Sequence, residues 1–233
     1  MNKLLARGGI EIIAVFIGIS GGLWSEKQIE LNKTIKAEKV ALKSIRDEFV
    51  SDSTSLFNIV KSIENEQEYI SNLLKHISGD TTLSITKLNA LIFDMMYFAY
   101  LTYDNSVYEG LIKGAGKKII QEDSVSSAIS SIYESTYKHL GNMFDMQKDM
   151  IATRTFDAFI ESGGYLDTKR FSISKSLNLS QEEMFSEALR KKKFVNQISF
   201  HYDTNFFIQK QYEWALGKVV VAIVIIDNYL ENS

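Results

Sequence analysis

Not one of the 233 residues is a proline. At an average usage of about 5%, a chain of this length carries roughly a dozen. Proline breaks helix interiors, so its absence lifts the main local limit on helix length and predicts long, uninterrupted helices. Cysteine is absent as well, which removes disulfide frameworks, thiolate metal sites and cysteine nucleophiles. With 45% hydrophobic residues the chain can bury a core and is not a disordered polymer. A net charge of -3 sets no overall bias towards one class of partner, so local patches decide.

Between Glu26 and His76 there is neither proline nor glycine. Every seventh residue there is apolar: Ile35, Leu42, Phe49, Leu56, Ile63, Ile70 and Ile77. Such a repeat predicts one helix packed lengthwise on another, stopped by Gly79 and Asp80. The second seam is mixed, with Ile45, Ile59 and Leu73 alternating with Glu38, Asp52 and Glu66. That is too polar for a free coiled coil, so the helix is expected to pack against later helices of its own chain. Those are a buried helix from Thr82 to about Tyr103, a glycine-rich break at Gly110, Gly114 and Gly116, and a long helix from Asp123 to about Ser162. A loop over 165–179 follows. Ser180 to Glu183 has the form of a capping box that opens a short helix. The last long helix runs from about Phe194 to Leu230, and its apolar stretch Val219 to Ile226 is read as core or interface. The fold class is all-α, an elongated helical bundle.

Gly8 to Trp24 reads GGIEIIAVFIGISGGLW, with Glu11 its single charge. This length meets the lower limit of about 17 residues for a membrane-spanning helix. Lys3 and Arg7 resemble the basic start of a signal peptide, but no small-residue cleavage site follows. A retained transmembrane helix is expected, dividing the chain into an anchor, 1–25, and a helical body, 26–233. Ala14, Gly18 and Gly22 recur every four residues, spacing that lets membrane helices approach closely. Glu11 falls near the same face, seven residues before Gly18. A carboxylate in hydrocarbon is costly. Glu11 therefore snorkels to the surface, lines an oligomeric pore as a ring, or makes a pairwise helix contact. Lys27, Lys33, Lys36, Lys39 and Lys43 follow the span, against Lys3 and Arg7 before it, which puts the body on the cytoplasmic side.

Catalytic patterns are missing. His76, His139 and His201 stand far apart, outside any metal or ribonuclease spacing, and are read as helix-surface or satisfied core residues. Gly110 to Lys118 lacks the first glycine of a P-loop, and Lys118 stands where a hydroxyl is needed. Neither enzyme activity nor a cofactor is expected. One basic run stands out, Arg190, Lys191, Lys192 and Lys193. It is either an anion-binding site or a solvated helix end.

Three stretches together resemble a family of small bacterial single-pass membrane proteins of unknown function: Gly8 to Trp24, Ser106 to Tyr133, and Lys193 to Leu230. Where that family carries N-W-N-E after the span, this chain has Leu23-Trp24-Ser25-Glu26. The resemblance implies a membrane anchor and a helical body. The same plan is similar to that of the ion-channel effectors of Hailong-type anti-phage systems, held closed by a DNA oligomer that a partner enzyme makes. It implies a homo-oligomeric, ligand-gated channel in the bacterial inner membrane, with a nucleotide or DNA oligomer as ligand. The alternative is an anchored scaffold or sensor that forms no channel.

Overall fold

A computed structural model describes residues 2–95, 97, 99–113, 120–164 and 179–232, with side chains described at these positions except 2–23, 112, 113, 152 and 179–182. Among the described residues every regular element is helical, so the all-α class holds.

Helix α1 (Asn2–Ser78) is 77 residues long, about 115 Å at ~1.5 Å per residue. It passes residue 25 without a break. It stops at Gly79, which takes a φ of 90° and donates to the His76 carbonyl at 3.1 Å, while Asp80 N–H reaches the Lys75 carbonyl at 2.9 Å. A left-handed glycine thus satisfies the last carbonyls, as expected. Among the described residues no helix is long and apolar enough to cross a membrane. The side chains of the expected span up to Leu23, including Glu11, Ala14, Gly18 and Gly22, lie outside the described residues.

The heptad seam is the core. Leu42, Phe49, Leu56, Ile63 and Ile70 are buried, with Ile35 and Ile77 half-buried at its ends. Helix α8 (Lys192–Asn232) lies antiparallel along it. Arg46 Nε is 3.0 Å from Asp227 Oδ1, and Gln67 Nε2 donates to Gln209 Oε1 at 3.2 Å. The long helix therefore does pack on its own chain.

The three acids of the second seam are buried too. Glu38 accepts the Gln121 N–H at 2.7 Å and pairs with the Tyr229 hydroxyl. Asp52 accepts the Tyr137 phenol. Glu66 Oε1 lies 3.0 Å from His201 Nε2. A buried carboxylate is tolerated only with such donors, so each acid selects what packs at its height on α1.

The expected helix from Thr82 to Tyr103 is shorter, α2 (Ile85–Asp94). Asp80 is held by the Ser78 hydroxyl and Leu83 N–H goes to His76 Nδ1, so the cap falls to Ser84, whose hydroxyl accepts from Lys87 N–H. The residues after α2 are not all buried: Tyr97 and Tyr100 are exposed, and Tyr100 and Tyr103 lean on Phe144 and Tyr137. Gly110 lies inside α3 (Ser106–Lys113) rather than in a break, while Gly114 and Gly116 fall outside the described residues. The long helix from Asp123 is found as α4 (Asp123–Ser130), α5 (Tyr137–Lys148) and α6 (Phe156–Glu161), joined by π-helical turns at Ser131–Thr136 and Asp149–Thr155. Helix α7 (Leu179–Arg190) starts one residue before Ser180, so that serine is not its cap.

Adjacent residues on α1 give a direct test of this core. Leu56 is 0% exposed and Phe57 is 51% exposed. Leu56→Ala is expected to lower unfolding free energy by about 2–5 kcal/mol in urea titrations. Phe57→Ala is expected to stay within about 0.5 kcal/mol.

Candidate functional site

The basic run falls on a junction between helices. Arg190 is in the last turn of α7, Lys191 joins the two, and Lys192 opens α8. All four side chains are exposed. Arg190 sits where unpaired carbonyls favour a cation, as a solvated helix end requires. The three lysines sit at the opposite pole. The first turn of α8 holds no acidic residue, and the Lys191 carbonyl accepts Val195 N–H at 3.0 Å to begin the helix. Amides and macrodipole there favour an anion, so lysines are set against the dipole unless an anion joins them. Lys193 also forms an ion pair with Glu161 of α6.

Beside this turn runs an open groove of about 540 Å³, between the end of α1 and the start of α8. Ser71, Lys75, Ser78 and Asp80 line one wall, Val195 and Tyr202 the other. Val195 is one turn beyond Lys191, but none of Arg190 to Lys193 lines the groove. Ser78 Oγ donates to Asp80 at 2.7 Å, which tethers the one carboxylate. The groove thus combines Lys75 and hydroxyls with the apolar Leu74, Ile77 and Val195. Sequence reading found the lysine run by its charge but not Lys75 or Tyr202, which carry no local signal and meet only through the α1–α8 pairing.

A second cluster is built from carboxylates and phenols. Tyr133 donates to Glu48 at 2.7 Å, Tyr137 donates to Asp52, and Tyr108 donates to Glu134 at 2.6 Å. Tyr108 stacks on Tyr133 at 4.5 Å between ring centres, and Tyr137 meets Tyr133 edge-on. Burial pushes the Asp52 and Glu48 carboxyls up, against the phenol hydrogen bonds that pull them down. Burial and the adjacent carboxylates hold the Tyr133 and Tyr137 phenols well above the ordinary value. Burial alone pushes Tyr212 up to about 12. The cluster keeps its phenols neutral and acts as a clamp between α1 and the π-helical turn.

His139 Nε2 lies 2.9 Å from Gln211 Oε1 beside Trp214, and His201 is buried on Glu66. His139 is half-buried rather than fully on the surface, and His201 is a core residue whose Nδ1 is hydrogen-bonded to Thr155 while its Nε2 has no hydrogen-bond partner among the described residues. Among the described residues no group of three or more His, Cys, Asp or Glu could hold a metal ion. Two shorter basic pairs of the sequence, Lys117 with Lys118 and Lys169 with Arg170, fall outside the described residues.

The raised Asp52 carboxyl has a defined pH consequence. A carboxyl held up in the fold gives stability that is full below its unfolded value, ~4, and is lost as pH rises through the folded value. Urea midpoints of the wild type should therefore carry a downward component as pH rises from about 4. Asp52→Asn should remove that component, as seen in unfolding curves across a pH series.

No known protein family, curated protein or solved structure matches the chain.

Proposed function

We propose that this chain is a single-pass protein of the bacterial inner membrane that assembles with copies of itself into a ligand-gated pore, serving as an anti-phage effector. The observation that carries this reading is the unbroken course of α1. Its N-terminal part holds the apolar stretch Gly8 to Trp24, and its C-terminal part forms one wall of the groove. A rod without a hinge transmits a tilt or rotation at one end to the other. In this reading residues 1–25 are the anchor and residues 26–233 the cytoplasmic gating body. Glu11, on the face of Ala14, Gly18 and Gly22, lines the pore, because a carboxylate in hydrocarbon needs water or a partner helix.

Self-association is supported by an exposed apolar strip on α8. Phe200, Phe207, Trp214 and Val221 recur every seven residues and are each exposed by about half, flanked by Val220 and Val224. A monomer rarely leaves a contiguous patch of that extent uncovered. The gating ligand is an anion at Arg190 to Lys193 and the adjoining groove. A nucleotide or DNA oligomer made by a partner enzyme supplies phosphates that suit a cationic helix start.

Planar-bilayer recording of the purified full chain tests the pore. Discrete current steps are expected, with unit conductance or cation selectivity altered in Glu11→Gln. A silent bilayer, with or without added DNA oligomer, overturns the pore and leaves an anchored scaffold. The ligand site has its own test in fluorescence anisotropy with a short single-stranded DNA probe. Replacing Lys191, Lys192 and Lys193 by Ala together is expected to weaken binding at least ~10-fold and flatten its salt dependence, each lost phosphate contact lowering the slope by about one. Unchanged affinity and slope reduce the run to a solvated helix end.

A further inference from the structure

Two apolar clusters fill the bundle, and a polar layer lies between them. On α1, Glu66 separates Ile63 of one cluster from Ile70 of the other. On α8, His201 and Asn205 separate Ile198 from Ile208. On the rod from α4 to α6, Gln147 and Thr155 fall between Leu140 and Phe159. All five polar residues are at most 3% exposed.

Three of them meet around the His201 ring. His201 Nε2 is 3.0 Å from Glu66 Oε1, and Thr155 Oγ1 is 3.2 Å from His201 Nδ1. The Thr155 contact is a hydrogen bond, whereas the Nε2–Oε1 approach lacks hydrogen-bond alignment and leaves both of those atoms without a hydrogen-bond partner among the described residues. The other two lack even one side-chain hydrogen bond: both amide atoms of Asn205 and both of Gln147 are buried with no hydrogen-bond partner among the described residues. Asn205 is one turn from His201 on the same face of α8. The contacts His139–Gln211 and Gln197–Met150 bracket Gln147 and align α5 antiparallel to α8, which brings Gln147 to the height of His201 and Asn205. The π-helical turn Asp149–Thr155 adds about one residue to a turn, so that Gln147 and Thr155, eight apart, come onto one face.

Two full amides buried without partners are a heavy penalty for a protein of ordinary stability. Internal water meets such groups in folded proteins, with about three hydrogen bonds per molecule. We propose that Gln147 and Asn205 form an internal hydration site, which binds at least one long-lived water between α5 and α8 beside the Glu66–His201 pair. The polar layer is then a hydrated partition between two dry cores. The ligand class is water itself, since the amides offer donors and acceptors in equal measure and no net charge.

Water oxygen-17 relaxation dispersion on the full chain tests this. The wild type should show a slow component from at least one internal water, and the double variant Gln147→Leu, Asn205→Leu should lose it. The single variants should unfold at lower urea concentration than the double, because each leaves one amide facing an apolar group. Should the double variant fail to fold, cross-relaxation between water and the Gln147 and Asn205 side-chain amides of the wild type decides. Cross-peaks with long-lived water support the site. Their absence, or equal slow components in the wild type and the double variant, overturns it.

Discussion

Three carboxylates buried at equal intervals on one helix govern how this bundle assembles. Glu38, Asp52 and Glu66 stand fourteen residues apart on α1, about 21 Å along its axis. Each requires a donor at its own height, and each finds a different one. The Gln121 amide and Tyr229 hydroxyl serve the first, the Tyr137 phenol the second, His201 the third. The apolar residues of the same seam supply most of the burial, but they do not fix register, because a seam of Leu, Ile and Phe repeats every two turns. A slip of one repeat would leave the acids without donors, a large loss for buried charge. The polar positions therefore specify the packing that the apolar ones stabilise.

The sequence carried the apolar half of this arrangement plainly. The repeat from Ile35 to Ile77 announced a long helix packed on another, and Gly79 marked its end. The acids were equally visible and pointed to packing within the chain, but not to the groups that each would meet. Their donors lie 83, 85 and 135 residues away, at Gln121, Tyr137 and His201, and no local pattern links them. Helix α2 was overestimated because apolar density was read as helical burial. In fact Tyr97 and Tyr100 are exposed and the chain leaves the helix at Met95. The π-helical turns at Ser131–Thr136 and Asp149–Thr155 had no signal in the local sequence pattern.

The basic run shows the same division between charge and geometry. Its four cations were evident, but not that one belongs to the end of α7 and three to the start of α8. That difference changes their electrostatic meaning, because the two poles of a helix favour opposite charges. The groove beside them joins residues from the last turns of α1 to residues of α8. A ligand there touches the same helix whose other end carries the apolar stretch. Anchor, seam and groove are successive parts of one rod, and the proposed gating rests on that continuity.

The distance between two labels on α1 tests this continuity most directly. The chain has no native cysteine, so Ser25→Cys and Asn65→Cys place a nitroxide at two exposed sites only. Forty residues of helix at ~1.5 Å each span about 60 Å. Pulsed electron–electron double resonance on the full chain in lipid, with labelled chain diluted in excess unlabelled chain so that pairs within one copy dominate, should give a single narrow distance population near that value. A broad distribution, or a mean well short of it, would mean that α1 breaks between anchor and body and would contradict the account.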